Sequence, residues 1–145
     1  MLRHVPETNV LVAELVDGHM RALSAAQSID IASSDRHTVK PWFNGKITQS
    51  PKVVDLSQDG FPLVGGRIDV FGKNPAPTLV YSRRRHLISL TAVSRFDGAT
   101  HLSSPRSVNG FNIISWNVGE TTYWAVSDLN VTELNAFAKL FQHAT

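Results

Sequence analysis

The sequence predicts an α+β domain in which an antiparallel β-sheet is backed by an N-terminal and a C-terminal helix. Apolar residues recur at three- and four-residue spacing near both ends of the chain, as on one face of a helix. Between them lie short strand-like runs joined in sequence by turn formers, the pattern of an antiparallel sheet with helices against it.

The first helix is expected over about residues 8–30, with Thr8 or Asn9 as N-cap. Its apolar stripe comprises Val12, Leu15, Val16, His19, Leu23 and Ala26, with Glu14, Asp17 and Arg21 opposite. Gly18 weakens its middle by up to about 1 kcal/mol relative to alanine. The stripe needs a partner: a second copy in a homodimer, or the sheet of the same chain. Ser33-Ser34-Asp35 ends the pattern, and residues 37–51 read as an ordered loop or short strands. Lys40 precedes Pro41, which biases it towards extended backbone.

The sheet is expected across about residues 52–127, in runs 52–56, 63–71, 77–81, 86–93, 111–116 and 121–126. Gly65-Gly66 lies inside one run that continues as Arg67, Ile68, Asp69 and Val70, with no helix opening after it. That excludes a phosphate loop and points to a bulge, or to close approach of another backbone. Residues 95–109, polar and rich in Ser, Gly and Pro, read as an exposed loop. The clearest hairpin turns at Asn117-Val118-Gly119-Glu120. The last helix, about 130–143, opens with a capping box of Asn130 and Glu133 and buries Leu134, Phe137, Ala138 and Phe141.

The 145 residues suit one domain, 1–145, and carry 14 basic against 12 acidic side chains, a net charge of +2. So small a charge gives no broad nucleic-acid footprint. No apolar run approaches the ~18 residues of a membrane span, and no apolar stretch of a signal peptide follows Met1 to Pro6. The absence of cysteine excludes a disulfide scaffold, a thiolate metal site and a cysteine nucleophile.

Six histidines, His4, His19, His37, His86, His101 and His143, are too scattered to form a metal-binding spacing, so no metal and no cofactor is expected. Asp35 and His37 invite a hydrolase reading with a nearby serine, but no nucleophile stands in a G-x-S-x-G or S-x-x-K setting. No catalytic residue is therefore assigned. Arg83-Arg84-Arg85 reads as a hairpin tip before it reads as a contact patch for acidic partners or lipid heads. Trp42, Phe43, Trp116, Tyr123 and Trp124 read as core before they read as a ligand pocket.

Three ordered blocks carry a family resemblance: His37-Thr38-Val39-Lys40-Pro41-Trp42-Phe43-Asn44-Gly45-Lys46, Gly60-Phe61-Pro62-Leu63-Val64-Gly65-Gly66-Arg67 and Tyr123-Trp124-Ala125-Val126-Ser127-Asp128-Leu129. Over about residues 11–141 the chain resembles the extracytoplasmic part of bacterial transmembrane anti-sigma factors. The resemblance implies a non-catalytic sensor domain, periplasmic, in a single-pass inner-membrane protein that controls an extracytoplasmic-function sigma factor. It also implies that the span and the cytoplasmic sigma-binding segment lie outside this chain, with the first helix next to the membrane. His37, Lys40, Trp42, Phe43 and Arg67 are the expected signal or ligand contacts. The alternative is a periplasmic small-ligand-binding module with its pocket near Trp42 and Arg67.

Overall fold

The structure, a computed structural model, describes residues 7–24, 29–32, 36–44, 51–71, 73–94 and 105–144. Helix α1 is Glu7–Ser24, followed by β1, Ile31–Ala32, and helix α2, Arg36–Asn44. A 3-10 turn at Ser57–Asp59 leads into β2, Leu63–Phe71, β3, Asn74–Arg83, and β4, His86–Ser94. Strands β5, Arg106–Val108, β6, Phe111–Val118, and β7, Thr121–Ser127, precede helix α3, Val131–His143.

The seven strands form one antiparallel sheet in the order β1-β2-β3-β4-β7-β6-β5. It is the expected α+β fold, and the two terminal helices cover opposite faces. On one face, Leu11, Val12, Leu15 and Val16 of α1 pack on Phe71, Ala76, Val93, Ile113, Trp124 and Val126. On the other, α2 and α3 cover a larger core that includes Leu79, Tyr81, Leu90, Trp116, Tyr123 and Ala125. Neighbours in a strand point to opposite faces, so Tyr123 and Trp124 belong to different layers. Covering both faces also explains why β3, β4 and β7 carry unbroken buried runs where a half-exposed strand would alternate.

Four expectations need correction. First, Asp30, at the end of the expected 8–30 helix, is not helical: its carboxylate accepts the backbone N–H of Ile68 (3.0 Å), next to Ile31 and Ala32, which pair with Gly66 and Gly65. Val12, Leu15, Val16 and His19 of the expected stripe are buried against the sheet and Leu11 joins them, but Leu23 is 44% exposed. Second, residues 36–44 form a helix through Pro41. Proline removes one helical hydrogen bond, but Val39 and Phe43, four residues apart, share a face that is wholly buried. Third, 52–56 forms no strand of the sheet; Leu56 makes an isolated bridge with Phe61. Fourth, Arg106–Val108 is a strand, turned into β6 by Asn109 and Gly110 with φ +53° and +84°. Both turn residues thus have positive φ, the geometry that Asn-Gly favours in a tight hairpin.

Candidate functional site

Beneath the C-terminal half of α1 the sheet presents polar side chains. Arg67 and Asp69 of β2, Thr78 of β3, and Ser89 and Thr91 of β4 face α1; register places Arg67 opposite Thr78 and Thr78 opposite Thr91. His19 closes the layer from the helix and is 1% exposed. The Arg67 Nε donates to both oxygens of Asp69 at 3.0 Å, and its Nη2 donates to Ser89 Oγ at 2.9 Å. Thr78 Oγ1 donates to Asp69 Oδ2 (3.1 Å) and lies 2.8 Å from Thr91 Oγ1. Ser89 Oγ lies 2.6 Å from His19 Nδ1.

The arrangement that leaves no hydroxyl proton unspent runs in one direction. Thr91 donates to Thr78, Thr78 to Asp69, Arg67 to Asp69 and Ser89, and Ser89 to His19 Nδ1. The imidazole is then neutral with its proton on Nε2, an atom with no hydrogen-bond partner among the described residues. The His19 ring sits edge-on to Phe111, with centroids 5.2 Å apart. Burial, reinforced by the Arg67 charge, pushes His19 down to about 4, against smaller opposing effects of Asp128 and Asp69.

A serine beside a histidine suggests a nucleophile and its base, but the geometry serves another purpose. Asp69, which would orient such an imidazole, is spent on Arg67 and Thr78. Ser89 and His19 are both buried in this conformation. The network joins α1 to β2 and β4, and its Arg67–Asp69 ion pair is largely shielded from water, so removing either partner leaves the other charge poorly compensated.

The expected contact residues whose side chains are described, Lys40, Trp42, Phe43 and Arg67, do not converge. The Cβ direction of Gly66 points at the Phe43 ring, so α2 lies on the face opposite the one Arg67 occupies. Trp42 packs against the core of the α3 side, edge-on to Phe43 at 5.1 Å. A pocket lined by both Trp42 and Arg67 is therefore not formed; the sheet stands between them. Lys40 Nζ donates to the Pro51 carbonyl at 3.0 Å, tying α2 to the segment that follows it. His37 falls within α2, but its side chain, like all of Asp35, lies outside the described residues. Of the expected residues whose side chains are described, only Arg67 belongs to the polar layer. Its companions were readable as polar residues two apart in otherwise apolar strands, Arg67 with Asp69 and Ser89 with Thr91.

Arg83 and Arg84 are held by the chain itself. Arg83 Nε donates to Glu133 Oε1 at 3.0 Å and stacks over Phe61, and Arg84 also reaches Glu133. Glu133 takes part in the α3 cap: its N–H donates to Asn130 Oδ1 (2.9 Å), and its carboxylate accepts from Asn130 Nδ2 and both arginines. Arg84 and Arg83 hold that carboxyl down to about 2. The hairpin of β3 and β4 is thus clipped to the start of α3. Among the described residues, no three His, Asp or Glu stand close enough to hold a metal ion, and no helix is long and apolar enough to cross a membrane. In comparisons with known proteins, neither a family model nor a curated protein nor a solved structure matches the chain.

Proposed function

We propose that this chain is the non-catalytic sensor domain of a membrane-bound anti-sigma factor, held on the periplasmic side and controlling an extracytoplasmic-function sigma factor. The observation that carries the reading is the seat of α1. The helix rests on the sheet against a core separate from that of α2 and α3, and beside its apolar contacts His19 ties it to the polar layer through Ser89. A sensor of this kind needs an element whose position responds to an input, and an input acts only through different affinities for the two positions. Helix α1 is that element: its displacement would leave the larger core intact. The sigma factor itself would be bound by a cytoplasmic segment outside this chain, reached through a membrane span.

The test is fractionation of the source cells with an antibody against this domain. A larger protein in the inner-membrane fraction is the expected result; a soluble protein of the mass of this chain would overturn the anti-sigma reading. In cells carrying a sigma-dependent reporter, Leu15→Ala and Val16→Ala should alter the output by loosening α1. Unchanged output from a domain with a loosened α1 would refute the role of the helix.

A further inference from the structure

We infer that acid releases α1 from the sheet as a unit, with His19 as the group that takes up the proton. The inference deepens the proposed regulatory reading, on which its biological use rests, by naming protons as an input to the same helix. Ser89 Oγ accepts from Arg67 Nη2, and in the arrangement that uses every hydroxyl proton of the layer its own proton is donated to His19 Nδ1. Protonated at Nδ1, the imidazole becomes a donor to Ser89. The serine hydroxyl then loses its acceptor inside a buried layer, and a second cation stands beside the Arg67 guanidinium.

The charged groups around His19 come from several elements. Arg67 and Asp69 of β2 lie in the layer, and Asp69 is engaged by Arg67 and Thr78. Asp128, just after β7, is 2.8 Å from His86 of β4. Arg106 of β5 faces the same side, opposite Ile113, and α1 itself carries Glu14, Asp17 and Arg21. Thr78, Thr91 and Ser89, the polar residues of β3 and β4 in the layer, are uncharged. With Asp69 committed to Arg67 and Thr78, no carboxylate of the layer is left uncommitted among the described residues to meet the new charge, and release of α1 into water relieves it.

The sign follows from linkage. The docked state holds His19 down to about 4, and a released α1 returns it to its ordinary 6.5. The released state therefore binds more protons between those values, and docking weakens as pH falls through that window. From pH 7 to pH 5 the ratio of released to docked α1 should rise about twentyfold. The larger core of α2 and α3 lacks this network, so its opening should not follow.

Amide hydrogen exchange on the whole chain, corrected for intrinsic rates, reads this directly at pH 7 and pH 5. The expected result is a rise of about twentyfold in the opening of α1, absent from α3 and largely abolished in His19→Gln, whose amide oxygen can still accept from Ser89. No rise in α1, an equal rise in α3, or an undiminished rise in His19→Gln would overturn the proposal. The His19 ring titrated by NMR in the unaltered chain gives an independent check: a midpoint below about 5.5 agrees, and a higher one overturns it. A flat exchange profile removes protons as the input and leaves the anti-sigma reading standing. A soluble protein in the fractionation does the reverse.

Discussion

Gly66→Ala should destabilise the domain through one ring. A Cβ built at Gly66 would lie 2.7 Å from Phe43 Cζ and 2.9 Å from Cε2, with the Thr78 carbonyl oxygen at 3.4 Å. Carbon pairs rest at about 3.5–4.0 Å, so the ring must retreat by close to 1 Å or the strand must bend. Phe43 is wholly buried, and it holds α2 to the sheet together with Val39. Overpacking of a filled core costs about 1–3 kcal/mol, and the release of one buried aromatic side chain is of the same size, so about 2 kcal/mol is expected. Urea unfolding of Gly66→Ala, Phe43→Leu and the double variant measures this as a cycle. The smaller side chain at 43 should make room, so Gly66→Ala should cost much less in the Phe43→Leu background, with a coupling of about 1 kcal/mol or more. Strictly additive costs would refute the ring contact and with it the placement of α2 over β2.

Gly18→Ala should have the opposite sign. A Cβ there meets Asp69 Oδ2 at 3.5 Å, an ordinary contact, so the gain in helix propensity should raise stability by about 0.5–1 kcal/mol in urea unfolding. Arg84→Gly should cost little or stabilise, because Arg84 holds φ +54° in the hairpin turn, a strain of about 1–2 kcal/mol for a side-chain-bearing residue. The exposed contact of Arg84 with Glu133 gives little in return, and thermal melts check the balance. The Glu133 carboxyl should titrate near 2 by NMR and move towards its ordinary 4.5 when Arg83 and Arg84 are both changed to Gln. Its pKa is lowered on folding, so its contribution to stability is present above 4.5 and is lost as pH falls towards 2.

The architecture was largely legible. The expected bounds of β2 coincide with those observed, and β4, β7 and α3 differ from theirs by one residue. These segments combine strong periodicity with clear turn or cap residues, so local and global preferences agree. Two misses lie where they conflict. The Lys40-Pro41 pair argues for extended backbone, yet the burial of Val39 and Phe43 outweighs it and α2 forms. Asn109-Gly110, between Val108 and Phe111, is a strong short-range hairpin signal, masked by the polar stretch before it. At Gly65-Gly66 the register shifts between Leu63 and Gly65, as expected of a bulge, whereas the group closest to Gly66 is not another backbone but the Phe43 ring.

The sequence by itself determined the strands and hairpins, the helices near the chain ends and the cap of α3, because each follows from interactions among residues close along the chain. Only the tertiary structure decided that α1 and α3 take opposite faces, that Trp42 and Arg67 are separated by the sheet, and that His19 meets Ser89 across 70 positions of sequence. In the sequence His19 is one member of an apolar stripe. What makes it a titratable lock is the charge of Arg67 and the loss of water around it, and both depend on which face of the sheet the helix covers.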